Sequence, residues 1–127
     1  MLHGKYTSGT SDFVGNKVEL IPPFSIKTGL NFKYKTFKIA YQFAYTAEHF
    51  TDATNAIFVA DATRGLIPAY NVHDLSLAYS YKRFKLQTGI NNLTNNLYFT
   101  RRAVAYPGPG IIPSDGRNFY VTFGVKI

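Results

Sequence analysis

The feature that most constrains this chain is a strict alternation of apolar and polar residues in long segments. It is clearest in residues 117–127, whose apolar positions are Phe119, Val121, Phe123, Val125 and Ile127. The positions between them are mostly polar or small. Because successive side chains of a β-strand point to opposite faces, the pattern predicts a strand with one wholly apolar face.

The same alternation predicts four further strands upstream. They cover residues 24–35, 37–50, 70–82 and 84–93, and residues 2–7 are a candidate for a truncated sixth. The five clear segments each have roughly 10 to 14 residues, whereas strands of globular proteins usually have about 5–6. Strands that cross a bilayer at a tilt need about 9–11 residues. We therefore predict an all-β fold, an antiparallel meander of five to six long transmembrane strands.

The connections between these segments alternate in length. Thr36 and the pair Lys82-Arg83 are short links, whereas residues 8–23, 51–69 and 94–116 are long. Outer-membrane barrels have short periplasmic turns and long extracellular loops. The order of loops and turns therefore predicts a multi-pass β-barrel in the cell outer membrane, with a periplasmic C-terminus.

The two short turns resemble each other and carry aromatic residues on the apolar face. These are Tyr34 and Phe37 at the first turn, and Tyr81 and Phe84 at the second. Aromatic rings favour the boundary between membrane and water, so we expect these four residues to form a membrane girdle. The alternatives are two similar hairpins of a soluble sandwich, or a soluble lipid-binding barrel whose apolar faces point inward.

Charge and residue types argue against several other functions. The net charge of +7 would suit a nucleic-acid binder, but the cationic residues are scattered at strand ends and in one loop. With no Cys, the chain offers neither a disulfide nor a thiolate metal site. The histidines, at positions 3, 49 and 73, lack a partner at metal-ligand spacing, and no nucleophile lies beside a base. We expect no enzyme activity, catalytic residue, metal, cofactor or nucleic-acid partner.

Five or six strands cannot close a membrane barrel, since the smallest such barrels have about eight. An open sheet in lipid would leave unpaired backbone groups at both edges. The many polar residues on the second face indicate a wide lumen. The first residues also lack the apolar region of a signal peptide. We therefore expect the chain to be part of a larger protein.

A motif near the end of the chain points to a family. Gly89-Ile90-Asn91-Asn92-Leu93, followed by Tyr98, resembles the G-v-x-N-L-x-x-x-x-Y stretch of TonB-dependent outer-membrane transporters. Residues 106–117 resemble the last extracellular loop of the ferric dicitrate and siderophore receptor branch. The terminal strand resembles the C-terminal signal read by the barrel-assembly machinery, except that Ile127 stands where an aromatic residue is usual. The resemblance extends from about residue 22 to the end.

This resemblance implies a barrel of roughly 22 strands whose lumen is plugged. Residues 1–127 would be the C-terminal portion of the barrel domain, with the plug domain and the early strands absent. The implied function is uptake of ferric siderophore or ferric dicitrate. The implied partners are outer-membrane lipid, the ferric chelate, the barrel-assembly machinery and the TonB complex, which acts through the plug. The alternative is a truncated porin or structural barrel without active transport.

Four residues in or beside the last long loop are candidates for ligand binding: Arg101, Arg102, Tyr106 and Arg117. Guanidinium groups bind carboxylates through two parallel hydrogen bonds, which would suit an anionic iron chelate. The tyrosine could stack on a ligand. The arginines could instead pair with Asp115 or lipopolysaccharide phosphates, or be solvated.

Overall fold

The computed structural model describes residues 4–9, 12–60, 63–103 and 110–126. The strands are β1 (Ser25–Tyr34), β2 (Phe37–Thr46), β3 (His49–Phe50), β4 (Leu66–Ile67), β5 (Tyr70–Tyr81), β6 (Phe84–Asn91), β7 (Phe99–Arg102), β8 (Ile111–Pro113) and β9 (Asn118–Val125). Across these described ranges, no helix is long and apolar enough to cross a membrane.

The long strands form one five-stranded sheet in the order β1-β2-β5-β6-β9. Each strand lies beside its neighbour in sequence, apart from the short strands of the loops, so the sheet is an antiparallel meander. This confirms the five predicted strands, with small changes at their ends. The largest change concerns residues 37–50, which were expected to form one strand. The sheet strand ends at Thr46 because His49–Phe50 pair with Leu66–Ile67 instead.

The strand register confirms the predicted division of side chains between two faces. Leu86 lies opposite Tyr79 and Phe123, which are apolar, whereas Gln87 lies opposite Ala78 and Thr122. Directly opposed residues of an antiparallel pair share a face. A shift of one residue would exchange the two faces, so the alternation and the pairing specify the same register.

The described part of the candidate sixth strand, residues 4–7, does not form a strand. Of the described residues 4–7, Lys5 makes an isolated bridge to Lys17. The Tyr6 amide donates to the carbonyl of Asn16 at 3.1 Å, and the Val18 amide donates to that of Gly4 at 3.1 Å. These residues satisfy their backbone groups within the first long loop, which explains the absence of a strand there.

The chain divides into two compact units. The loop unit comprises Met1–Ser25, Thr46–Tyr70 and Leu97–Ser114, and the sheet unit comprises Ile26–Tyr45, Asn71–Asn96 and Asp115–Ile127. The loop unit contains two small antiparallel pairs, β3 with β4 and β7 with β8. The long loops are thus not irregular connections, because they build a folded unit of their own.

The sheet unit has apolar side chains that the described residues leave uncovered. Among the described residues the buried apolar core is Ile67, which is 0% exposed and belongs to the loop unit. In the sheet, Leu30 is 72% exposed and Val121 is 71% exposed. Apolar surface of this extent is unfavourable in water. The outer face therefore requires an apolar environment.

Candidate functional site

The inner face of the sheet carries the polar groups that could meet a ligand or another protein domain. A groove of about 400 Å³ lies on this face. Its polar lining side chains are Asn31, Lys33, Lys38, Ser76, Gln87 and Tyr120. A second depression, of about 330 Å³, is lined by Lys27, Gln42 and Asp74, among others. Lysines and amides in these positions offer hydrogen-bond donors to an anionic or polar partner.

Tyr120, one of the residues that line the groove, lies opposite a glycine. Gly89 pairs with Tyr120 across β6 and β9, and a β-carbon on Gly89 would lie 2.5 to 2.6 Å from atoms of the Tyr120 ring. That distance is well inside van der Waals contact. The glycine is needed for space, so that the ring can lie across the neighbouring strand.

Asn92, the asparagine of the family motif, is a buried structural residue. It is 3% exposed. Its amide nitrogen donates to the carbonyl of Asn96 at 2.9 Å and to that of Asp115 at 3.3 Å, and its Oδ1 accepts from the Asn96 amide at 2.9 Å. Its own backbone amide donates to Asp74 Oδ1 at 2.9 Å. Asn92 therefore fastens the end of β6 to segments that adjoin β5 and β9.

The predicted ligand-binding arginines lie in different surroundings. Arg102 donates from Nη2 to the carbonyl of Leu66 at 3.0 Å, and its guanidinium lies 5.2 Å from the centre of the Phe99 ring. Arg101 is its neighbour on β7 and is exposed. Both belong to the loop unit, whereas Arg117 belongs to the sheet unit. Tyr106 lies outside the described residues.

Arg117 is exposed beside the start of β9. Its backbone amide donates to Asn95 Oδ1 at 3.0 Å. The proposed alternative of pairing with Asp115 is not seen in the described ranges, where the ion pair found is Arg64 with Asp52, at 3.5 Å. The Arg117 backbone is therefore fixed while its side chain faces solvent.

Several residues that organise the loop unit were missed from the sequence. Asn55 bonds both backbone groups of Lys17, accepting from its amide at 2.7 Å and donating to its carbonyl at 2.8 Å. The Asn55 side chain thus bonds the Lys17 backbone as a neighbouring β-strand would. It joins the first long loop to the second. Its positive φ of 53° suits an asparagine, but the sequence carries no signal for a partner so distant in the chain.

A second missed contact joins Tyr6 to Glu19. The tyrosine hydroxyl donates a hydrogen bond to the carboxylate. This bond raises the pKa of Tyr6, with smaller contributions from desolvation and the nearby charge, and it lowers the pKa of Glu19. The two groups therefore stabilise each other only while the hydroxyl is protonated and the carboxyl is ionised.

The described histidines have structural partners. A hydrogen bond of 2.6 Å joins His73 Nδ1 to the Tyr41 hydroxyl, and the His73 ring lies 4.9 Å from that of Phe43. His49 is buried, with Nδ1 3.1 Å from the carbonyl of Ala47. Within the described part of the chain, no cluster of three or more His, Asp or Glu residues could hold a metal ion.

The four predicted girdle residues lie beside the two turns and are exposed. Lys35 extends its ammonium to 5.3 Å from the centre of the Tyr34 ring, and Lys82 does the same over Tyr81 at 5.4 Å. The Phe84 ring stacks on Phe123 of the adjacent strand, at 5.9 Å. The two turns are therefore alike in structure as well as in sequence.

Long antiparallel strands, an exposed apolar face and a second, polar face with grooves are together typical of the wall of a transmembrane β-barrel. The sequence profile of the TonB-dependent receptor-like β-barrel family matches residues 2–93. The chain belongs to this family, which confirms the resemblance. Barrels of this family are outer-membrane proteins and act as receptors and transporters.

Solved structures show the same fold over most of the chain. The unliganded ferric citrate transporter FecA aligns with a TM-score of 0.80 and 22% identity, covering 91% of this chain. The siderophore receptor PiuA of Acinetobacter baumannii gives 0.72 and 23% over 91%, and the ferric yersiniabactin receptor FyuA of Yersinia pestis gives 0.70 and 16% over 89%.

This chain spans only 18%, 15% and 17% of those three structures, respectively. At these identities the likeness shows the fold alone. A comparison with curated protein sequences gave no significant match.

Proposed function

We propose that this chain is the C-terminal portion of the barrel of a TonB-dependent transporter, which imports an anionic ferric chelate across the outer membrane. The observation that carries the proposal is the family match over residues 2–93. The chelate class is supported by the structural neighbours, which include a ferric citrate transporter and siderophore receptors. Ferric siderophore and ferric dicitrate are the two substrates proposed.

The open sheet supports a larger barrel around this segment. Strands β1 and β9 are the edges of the sheet, and each requires a partner strand in lipid. A barrel of roughly 22 strands would supply those partners from upstream sequence. A plug domain would face the inner lysines and amides, and would carry the contact with the TonB complex.

The orientation proposed for the barrel follows from its connections. The turns at Lys35-Thr36 and Lys82-Arg83 would face the periplasm, as would the C-terminus, and the long connections would be extracellular loops. The alternating apolar side chains of β9, Phe119, Val121, Phe123 and Val125, are the proposed signal for the barrel-assembly machinery. Ile127, the remaining residue of that signal, lies outside the described residues.

Among the candidate ligand residues, the structure favours Arg101 and Arg117 for direct contact. Both side chains are exposed, so their guanidinium groups remain available for bidentate binding of a carboxylate. Arg102 already donates to a backbone carbonyl. We propose that it supports the loop on which Arg101 stands, and that any contact of its own with a chelate is secondary.

The test is uptake of labelled iron by cells that express the full-length protein containing this segment. Ferric dicitrate and a ferric siderophore should be compared in cells with and without a functional TonB complex. Saturable uptake of either chelate that requires TonB supports the proposal. Uptake that persists without TonB would instead identify a porin, and proof that the purified protein stays folded and soluble without detergent would exclude a membrane barrel.

A further inference from the structure

The two short turns share a backbone conformation that lysine seldom adopts. Lys35 and Lys82 are each the first residue of a two-residue turn, with φ values of 49° and 50°. This left-handed region suits glycine and, to a lesser degree, asparagine. The backbone of both turns would therefore be formed more readily with glycine, so the turn geometry does not explain the lysines.

The side chains of these lysines have equivalent environments. Each ammonium lies over the ring of the preceding tyrosine, within the range of a cation–π interaction. Tyr34 is 59% exposed and Tyr81 is 51% exposed, and both belong to the apolar outer face. Each turn thus presents a ring on the apolar face with a positive charge above it, and we call each pair a Tyr–Lys corner.

The surroundings of the corners are strongly positive. The cationic residues within a few positions of the turns or at the end of β9 are Lys33, Lys35, Lys38, Lys82, Arg83, Lys85 and Lys126, all exposed. Along β5, the nearest acid is Asp74, eight positions before Lys82, which corresponds to about 26 Å of strand. This distance exceeds the screening length of about 8 Å at physiological ionic strength. Asp74 therefore does not neutralise the positive charge beside the turns.

We propose that each Tyr–Lys corner binds the phosphodiester headgroup of an anionic phospholipid, such as phosphatidylglycerol. A tyrosine ring is stable at the hydrocarbon boundary, and a lysine reaches from there towards the headgroups. The ammonium carries three hydrogen-bond donors for phosphate oxygens, and the surrounding cations attract a net negative lipid. The inference rests on the proposed function only in assuming that the outer face contacts lipid.

The test is native mass spectrometry of the full-length protein in detergent, titrated with phosphatidylglycerol and, separately, phosphatidylcholine. The decisive variant is Lys35→Gly with Lys82→Gly, because glycine adopts the left-handed conformation and preserves the turns. The variant Lys35→Arg with Lys82→Arg keeps the charges. Lys126→Gly removes one charge from the same end without altering a Tyr–Lys corner.

We expect the wild type to prefer phosphatidylglycerol, and the double glycine variant to bind it about fivefold more weakly per lysine removed. The arginine variant should retain the preference, and Lys126→Gly should weaken phosphatidylglycerol binding less than the loss of one lysine of a Tyr–Lys corner. Equal binding of both lipids by the wild type, full preference in the glycine variant, or displacement of the lipid by inorganic phosphate would overturn the proposal. If the wild-type protein showed the lipid preference but no TonB-dependent chelate uptake, only the proposed function would be refuted.

Discussion

The ring of Tyr120 lies across Gly89 on the inner face of the sheet, where a β-carbon would approach ring atoms to 2.5 to 2.6 Å. The two residues are directly paired across β6 and β9. Gly89 belongs to the sequence motif of the family, and the ring lines the larger inner groove. Because the motif residue is glycine, the Tyr120 ring of β9 can lie directly over β6.

Replacing Gly89 with alanine should force Tyr120 from its place. We expect a loss of about 1 kcal/mol, the low end for overpacking, because the Tyr120 ring is 40% exposed and can move aside; the measurement is urea unfolding of the full-length protein in lipid vesicles. Gly124→Ala is the matched control, since a β-carbon there would meet Lys85 atoms at an ordinary 3.9 Å. Gly89→Ala combined with Tyr120→Ala should recover part of the loss. Equal effects of the two single alanine variants would contradict the steric explanation.

Asn92→Ala should destabilise the junction of β6 with the segments beside β5 and β9. The variant removes the hydrogen bonds to the amide and carbonyl of Asn96 and to the carbonyl of Asp115, at a cost of about 0.5–1.5 kcal/mol for each bond. Hydrogen exchange of the Asn96 amide is the direct measurement. Asn92→Gly separates the loss of hydrogen bonds from backbone strain. Glycine relieves the strain of the positive φ of 51° but restores no side-chain bond.

The neighbouring residue provides the control for that experiment. The Asn91 side chain donates to Asn118 at 2.8 Å in an exposed position, so Asn91→Ala should cost less than about 1 kcal/mol. If Asn91→Ala proved as damaging as Asn92→Ala, the burial of Asn92 would not be the cause.

The Tyr6–Glu19 contact should make the stability of the first loop depend on pH. The pKa of Glu19 is lowered in the folded state, so its contribution is present above its ordinary pKa and is lost as the pH falls through the lower folded value. The pKa of Tyr6 is raised, so its contribution is present below its ordinary pKa and is lost as the pH rises through the higher folded value. Protease cleavage of this loop should therefore increase at both extremes of pH.

Tyr6→Phe is the control for the pH prediction, since it removes the hydroxyl and keeps the ring. In this variant the loop should be cleaved faster at neutral pH, and the increase towards either extreme should be smaller. A pH profile identical to that of the wild type would show that the contact does not protect the loop.

Arg101 and Arg102 are adjacent, but their substitution should have different consequences. Arg101→Ala should weaken uptake of an anionic chelate several-fold through loss of a charge-assisted contact, with the loop still resistant to protease. Arg102→Ala should expose the loop to protease, because a charged hydrogen bond worth about 1.5–3 kcal/mol is lost. Uptake with both variants at normal surface expression is the measurement. Unaltered uptake by Arg101→Ala would remove it from the ligand site.

The sequence by itself determined the sheet. Alternation with a period of two is a local property of the chain, and it identified five strands and assigned their side chains to two faces before any pairing was known. The observed register agrees with that assignment, because Leu86 lies directly opposite Phe123 and a shift of one residue would put them on different faces. The motif around Asn92 likewise indicated the family from a short stretch of residues.

Only the tertiary structure determined that the long loops form a folded unit, and which of the candidate site residues are exposed. Asn55 bonds Lys17 across 38 positions of the chain, and Arg102 bonds Leu66 across 36. Neither contact has a sequence period or motif, because each depends on how separate loops fold against one another. For the same reason, the sequence nominated Arg101 and Arg102 equally, and only the folded loop separated the exposed guanidinium from the one bound to the backbone.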